Sequence, residues 1–281
     1  MKTIGFIDYY ISEWHANNYP TWIKEVCEKE CLDFKVEYAW AELDVSPLDN
    51  RSTEEWCKEF GVQKCSSIKE VCEKADYILI LAPSDPEKHL AYAEEVLKYG
   101  KNTYIDKTFA PDFNTAEKIF ELGKKYNTKF FSSSALRYAT ELDDMVDTKS
   151  VVTLGGGGNM PEYIIHQIEM AVKLLNDTAK RLRVEKVGDN QYVTFVEFDN
   201  DKKATFNYSV ANPFAVSCQA MDKRSRFSVI RSDFFKILIA DILKFYQTSK
   251  TSFNTEQTLE VMKIREAVIA GMEKNGQWIT L

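Results

Sequence analysis

The side chains best suited to acid–base chemistry in this sequence are Glu162 and His166, which stand four positions apart in a helical pattern over residues 161–175. At that spacing both lie on one face of a helix. A carboxylate there can orient an imidazole and raise its basicity, as a catalytic base requires. The competing interpretation is a histidine that pairs with a neighbouring acid for helix stability alone.

A single lysine, Lys107, is the second candidate. It ends the predicted strand 102–107, and ligands bind at the carboxyl ends of the strands in open α/β sheets. Its neighbours Ile105 and Phe109 are apolar, which favours a functional lysine over a solvated surface lysine.

A run of four glycines, 155–158, precedes the helix that carries His166. Glycine loops can bind phosphate through their backbone N–H groups. This run lacks a third glycine at G-x-G-x-x-G spacing and has no Lys-Ser or Lys-Thr after it. We therefore expect a tight turn that sets the angle of the helix beginning at Pro161, rather than a phosphate site.

The predicted order of strands and helices that must position these side chains differs between the two halves of the chain. Strands and helices alternate in the first half, which predicts a doubly wound parallel sheet over residues 1–135. The predicted strands are 2–8, 34–42, 76–83, 102–107 and 128–134, and the first predicted helix is 20–30. An alternating hairpin, 192–210, lies among helices in the second half. It predicts an α+β domain with a mostly antiparallel sheet over 136–281.

Composition excludes several classes of function. The net charge is −7 and no block of basic residues occurs, which argues against binding to nucleic acid. The most apolar runs, 77–82 and 234–243, are too short to span a bilayer. The six cysteines form no CxxC pair and the three histidines have no ligand spacing to them, so we expect no metal site. A reduced, cytoplasmic compartment fits these cysteines.

One segment, 78–127, resembles the glucose–fructose oxidoreductase/inositol dehydrogenase (Gfo/Idh/MocA) family. Pro83 ends a strand and His89 opens the next helix, as in that family. The Gly100-Lys101 turn stands where the family has Gly-Lys. The triplet Asp106-Lys107-Thr108 stands where it has Glu-Lys-Pro. Glu162 and His166 are similar to its Asp-x-x-x-His motif. The ending 258–281 is similar to the family's last helix and strand. The departures are Thr108 for proline, Asp106 for glutamate, Glu162 for aspartate and two extra residues before His89.

The first loop departs further from that family. The family places G-x-G-x-x-G directly after the first strand, whereas this chain reads GFIDYYISEWHAN, with Asp8, Tyr10 and Ser12 near the glycine positions and His15 in place. Glycines let the backbone approach a pyrophosphate closely. Tyrosine side chains obstruct that approach, and Asp8 adds negative charge. Either a dinucleotide sits differently, using the helix near Pro20 and the Ser12 hydroxyl, or it does not bind.

The resemblance implies roles for individual residues. Lys107 would contact the substrate and the nicotinamide ribose, His166 would take a hydroxyl proton, and Glu162 would orient His166. The implied cofactor-side residues are Asp8, Ser12, His15, Glu42, Pro83, His89 and Asp106. Among these, His89 is expected to pack the helix start, and for His15 ligand contact and simple packing remain open. Arg137 and Tyr138 would lie near the substrate or form a domain-boundary hydrogen-bond pair.

The function implied is an NAD(P)-dependent oxidoreductase that transfers hydride between a nicotinamide and a hydroxyl carbon of a sugar, sugar acid or cyclitol. NAD is slightly favoured over NADP, because an acid at Glu42 accepts hydrogen bonds from an unmodified adenosine ribose. The alternative is a non-catalytic or repurposed relative that binds a small metabolite and has lost the dinucleotide. A homodimer or homotetramer built on the sheet of hairpin 192–210 is expected, because an exposed apolar sheet face is a liability in a monomer.

Overall fold

A computed structural model describes all residues, 1–281, and the chain forms two compact units. The first comprises Met1–Ser133 and Leu238–Asn254; the second comprises Ser134–Ile237 and Thr255–Leu281. The main division falls close to the predicted boundary at 135, but the segment Leu238–Asn254 joins the first unit. Its Tyr246 stacks on Tyr77 with ring centroids 4.7 Å apart and donates a hydrogen bond to the carbonyl of Ile78 at 2.7 Å.

The first unit is built on a six-stranded parallel sheet with the order β3-β2-β1-β4-β5-β6. Its strands are β1 (Lys2–Asp8), β2 (Phe34–Ala41), β3 (Gln63–Lys64), β4 (Tyr77–Ile80), β5 (Thr103–Ile105) and β6 (Phe130–Phe131). Its helices are α1 (Trp14–Glu30), α2 (Thr53–Phe60), α3 (Ile68–Lys74), α4 (His89–Val96) and α5 (Phe113–Tyr126). The sheet confirms the parallel, doubly wound prediction.

Helix α1 begins six residues before the predicted start at Pro20. Glu13 is its N-cap, and the Glu13 carboxylate accepts the amide protons of His15 and Ala16. Pro20 therefore lies inside the helix rather than in its first turn. Glutamate is not among the favoured N-cap residues, so the usual start signals do not mark this position.

The second unit contains a seven-stranded sheet with the order β12-β11-β7-β10-β9-β8-β13. Its strands are β7 (Thr148–Gly155), β8 (Ala179–Gly188), β9 (Gln191–Phe198), β10 (Lys203–Ser209), β11 (Ala215–Ala220), β12 (Ser225–Val229) and β13 (Ile279–Thr280). Its helices are α6 (Met160–Leu175) and α8 (Glu256–Glu273), while α7 (Phe234–Thr248) runs from the second unit into the first. All neighbouring strands are antiparallel except β7 and β10. The α+β prediction is confirmed, and the predicted hairpin is β9–β10.

The glycine run between β7 and α6 is a site of close backbone packing. A Cβ atom on Gly156 would overlap the carbonyl oxygen of Ser209 and lie 2.5 Å from that of Val210. Gly157 has φ +144° and packs under the ring of Tyr163. The run is the tight turn that the sequence predicts, because its glycines let the end of β7 pass against the turn after β10.

No helix in the structure combines the length and the apolar character needed to cross a membrane. No cluster of three or more His, Cys, Asp or Glu side chains has the arrangement of a metal site.

Candidate functional site

Lys107 lies at the carboxyl edge of the parallel sheet in the first unit, directly after β5. Its backbone N–H donates to Oδ1 of Asp106 at 2.9 Å, and its ammonium donates to the carbonyl of Pro83 at 3.4 Å. Pro83 follows β4, which pairs with β5 through Ile80 and Ile105. The side chain is half-buried. The tips of two adjacent central strands therefore position a lysine where ligands bind in this class of sheet.

His89 is completely buried at the start of α4. Its Nδ1 lies 3.0 Å from the carbonyl of Phe109 and its Nε2 lies 2.5 Å from the carbonyl of Leu81. Burial lowers the pKa of this imidazole. Both ring nitrogens face backbone carbonyls, one at the end of β4 and one in the segment after β5, so protein atoms enclose the imidazole and it packs the start of α4.

Asp8 ends β1 and is buried. Its Oδ1 accepts hydrogen bonds from the amides of Tyr9 at 2.7 Å and Ala82 at 3.0 Å, while its Oδ2 is buried without a hydrogen-bond partner. Burial, and after it the charge of Glu13, raises the pKa of Asp8 well above its usual value. The carboxyl thus ties the end of β1 to the loop after β4.

His15 and Asp106 are buried in direct contact in the same region. Nδ1 of His15 contacts Oδ2 of Asp106, and the imidazole stacks on the ring of Tyr19 with centroids 5.2 Å apart. Oδ1 of Asp106 also faces the hydroxyl of Tyr104 at 3.4 Å. The pair joins the first turn of α1 to the tip of β5, next to Lys107.

Glu13 is the residue of this region that sequence reasoning missed. It is 5% exposed, and Oε2 accepts the amide of His15 at 2.8 Å while Oε1 accepts that of Ala16. Burial is the largest influence on its carboxyl and raises its pKa. The available signal was an acid directly before an amphipathic segment, a position where carboxylates stabilise a helix N-terminus.

The loops after β1 and β2 are bonded to each other. The Ser12 hydroxyl donates to Asp49 at 2.7 Å, and the Ser46 hydroxyl donates to the carbonyl of Ser12 at 2.9 Å. Ser12 is buried by this contact. The hydroxyl predicted to meet a dinucleotide is thus committed to a neighbouring loop.

Glu42 follows β2 at the position predicted for an adenosine ribose. Its carboxylate accepts hydrogen bonds from Lys88 at 2.6 Å and from the Tyr92 hydroxyl at 2.7 Å. Partial burial raises its pKa, but these two hydrogen bonds leave it below the usual value. The charge on Glu42 is therefore already balanced by a lysine.

In the second unit, α6 carries His166 in a buried position. Nδ1 of His166 lies 2.7 Å from the hydroxyl oxygen of Ser134, and the rings of Tyr163 and Phe214 flank the imidazole. Glu162 is hydrogen-bonded to Asn159, the N-cap of α6, at 3.1 Å. Ser134 is a partner of His166 that sequence spacing did not suggest; the orienting role of Glu162 stays a prediction.

Arg137 is buried beside α6, and its neighbour Tyr138 is half-buried. Nε of Arg137 lies 2.6 Å from Oε1 of Glu169, and Nη1 donates to Oε1 of Gln257 at 2.7 Å. These contacts favour the structural interpretation of Arg137 over substrate binding.

The comparisons with known proteins give a family match for part of the chain and a fold match for nearly all of it. The sequence model of the oxidoreductase family with an NAD-binding Rossmann fold, Gfo/Idh/MocA, matches residues 44–134. This segment of the Rossmann domain is similar to the Gfo/Idh/MocA family. No curated protein matches the chain by sequence.

Solved structures of dehydrogenases share the fold over the whole chain. A probable dehydrogenase from Thermotoga maritima superposes with a TM-score of 0.80 at 12% identity, covering 99% of this chain and 98% of its own. The scyllo-inositol dehydrogenase of Lactobacillus casei, solved with NAD(H) and scyllo-inositol, gives 0.78 at 14% identity, with 99% and 98% covered. The myo-inositol dehydrogenase of Lactobacillus casei, solved with NAD(H) and myo-inositol, gives 0.79 at 10% identity, with 100% and 96% covered. At these identities the likeness establishes the fold alone.

The Gfo/Idh/MocA family implies a nicotinamide dinucleotide, whose pyrophosphate in Rossmann folds sits at the N-terminus of the first helix. In this chain the amides of His15 and Ala16 at that helix end already bind the Glu13 carboxylate. The loop carries no glycine, and buried Asp8 adjoins it. The family match also begins at residue 44 and so omits β1, α1 and β2. The residues present do not fit a pyrophosphate at this helix end.

Proposed function

We propose that this protein is an oxidoreductase acting on a CH–OH group of a sugar, sugar acid or cyclitol. The observation that carries the proposal is Lys107 at the tip of β5, bonded to the Pro83 carbonyl at the tip of β4. Both residues lie inside the segment that matches the Gfo/Idh/MocA family. A lysine at that edge can polarise a substrate hydroxyl with its ammonium group.

In the second unit, His166 is assigned the role of proton acceptor. If its Nδ1–H donates to the Ser134 hydroxyl at 2.7 Å, Nε2 is left unprotonated and able to accept a proton. The Ser134 hydroxyl also accepts the amide of Leu136 at 3.2 Å, which holds the oxygen in place as an acceptor. Glu162, one turn before His166, remains in the proposal as a carboxylate that favours the charged imidazole.

The substrate class rests on the inositol dehydrogenases that share this fold and whose structures hold scyllo-inositol or myo-inositol. A nicotinamide, when bound, supplies hydride acceptance to enzymes of this kind. Because the first loop does not fit a pyrophosphate, the proposal assigns neither NAD nor NADP to residues of this chain and rests on the substrate side alone.

A second candidate function is binding of a small polyhydroxylated metabolite without a redox step. The observation that favours it is the Glu13 carboxylate, which occupies the amides of His15 and Ala16. The two functions differ in one measurable property, which is turnover.

The test is turnover on a panel of sugars, sugar acids and cyclitols, with NAD⁺, NADP⁺ and a diffusible dye as alternative electron acceptors. His166→Gln should lower turnover by about 10²–10⁴-fold, the usual contribution of general acid–base catalysis. Lys107→Met should lower it by about 10²–10³-fold, the usual cost of removing one electrostatic donor. Lys118→Met, an exposed lysine on α5, is the control and should leave turnover unchanged. Turnover that ignores both substitutions would refute the assignment; binding of a panel member without turnover under any acceptor would support the second candidate.

A further inference from the structure

The N-terminus of α1 holds a negative charge supplied by the chain itself. In this 17-residue helix the amides of the second and third residues, His15 and Ala16, both point at the Glu13 carboxylate. The free amides of a first turn are the groups that bind phosphate in Rossmann folds. Here a carboxylate takes the position that a phosphate would need.

We propose that Glu13 closes the pyrophosphate site of this Rossmann domain, acting as an internal substitute for the phosphate. The proposal is independent of the proposed oxidoreductase activity, since it concerns only what the end of α1 can bind. Its consequence is that NAD(H) and NADP(H) cannot bind at this helix end while Glu13 is in place.

The acidic side chains around Glu13 make the binding of a pyrophosphate still less favourable. Asp8 and Asp106 are each 1% exposed. After burial, the charge of Glu13 is the next cause that raises the pKa of Asp8, and the charge of Asp106 in turn raises the pKa of Glu13. Oδ2 of Asp8 is buried and lacks a hydrogen-bond donor. Phosphate oxygens at neutral pH are acceptors, so a pyrophosphate could not donate to Oδ2 of an ionised Asp8 and would add negative charge beside it.

His15 does not offset this charge for an incoming anion. Its Nδ1 is engaged by Asp106, and its ring is stacked on Tyr19. Any positive charge on this imidazole is therefore matched by a buried carboxylate in direct contact. Two amides of this helix end and the neighbouring imidazole are thus bonded within the chain.

The experiment measures binding of NADH and NADPH to the full chain by calorimetry and nucleotide fluorescence. The native protein should show a Kd weaker than about 1 mM, and Glu13→Ser, which keeps a neutral N-cap, should bind at least about tenfold more tightly. Adding Asp8→Asn should tighten binding further. Glu28→Ser is the matched control, because it removes the same charge from the other end of α1, where Glu28 is 66% exposed, and should change nothing.

Circular dichroism of each variant establishes that it is folded, and Glu13→Gln, which keeps a capping oxygen and loses the charge, should give an intermediate affinity. Native binding in the micromolar range that Glu13→Ser leaves unchanged or weakens would overturn the proposal. So would a folded double variant that still fails to bind. Because the readout is binding, this result is separate from turnover: a native protein that turns over only with the dye would support both the oxidoreductase and the closed site.

Discussion

Arg137 and Glu169 form a buried ion pair, and breaking it should destabilise the second unit far more than breaking a similar pair at the surface. Nε of Arg137 lies 2.6 Å from Oε1 of Glu169, and the side chains are 5% and 3% exposed. Arg181 and Glu197 form a pair of nearly the same geometry at 2.7 Å, with side chains 47% and 30% exposed. The two pairs therefore differ mainly in burial.

The expected loss of unfolding free energy follows from that difference in burial. Glu169→Gln leaves the Arg137 guanidinium in a buried site without a counter-charge, and removing one partner of a buried pair costs about 3–5 kcal/mol. Glu197→Gln leaves Arg181 able to reach water, and exposed pairs contribute about 0–1 kcal/mol. We therefore expect a difference of at least about 2 kcal/mol between the two glutamine variants.

The assay is urea unfolding of the full chain followed by circular dichroism, with the native protein and both glutamine variants measured together. A double variant, Arg137→Met with Glu169→Leu, removes both charges and should be less destabilised than Glu169→Gln, because no unpaired charge remains. Equal stability of Glu169→Gln and Glu197→Gln would refute the reasoning. If Glu169→Gln is stable and instead weakens substrate binding, Arg137 has the substrate role that the family resemblance implies.

Three further predictions concern titration, packing and assembly. Burial, then the charge of Glu13, raises the folded pKa of Asp8, so the native state binds this proton more tightly than the unfolded chain does. The native protein therefore loses stability as pH rises above about 4. The melting temperature of Asp8→Asn relative to that of the native protein should rise from pH 4.5 to pH 8, and a constant difference would contradict this. Gly156→Ala should cost about 1–3 kcal/mol in chemical denaturation, because its Cβ meets backbone oxygens, whereas Gly158→Ala, whose Cβ would lie 3.6 Å from its nearest neighbour, should be nearly neutral. Val152 and Phe227, 41% and 65% exposed on the second sheet, lead us to expect a homodimer or homotetramer, and light scattering that finds only a 32.4 kDa species would exclude it.

The sequence by itself determined the local elements and the class of fold. Alternation of strands and helices predicts the parallel sheet, and the period-two pattern of 192–210 predicts the β9–β10 hairpin, because both patterns arise from which side chains a short segment must bury. The position of Lys107 after β5 follows from the same pattern. The sequence also predicts that the glycine run is a tight turn, since the spacing of a phosphate loop is absent.

The tertiary structure alone decided which side chains meet. Asp106 reaches His15 across 91 positions of sequence, and Arg137 reaches Gln257 across 120. Leu238–Asn254 joins the first unit because Tyr246 stacks on Tyr77 and bonds to Ile78. No short-range pattern encodes such pairings, since they depend on which loops converge at one edge of a sheet.

At the start of α1, sequence patterns also fail to predict a contact between residues that are close in the chain. The sequence GFIDYYISEWHAN shows that the glycines of the G-x-G-x-x-G motif are missing and that Asp8 puts a negative charge near one of their positions. They do not reveal that Glu13 folds back onto the amides of His15 and Ala16, because that contact depends on the backbone of Glu13 being extended while the next residue is already helical. The sequence therefore determined that the usual phosphate loop is absent, and the three-dimensional path of the chain decided that a carboxylate has taken its place.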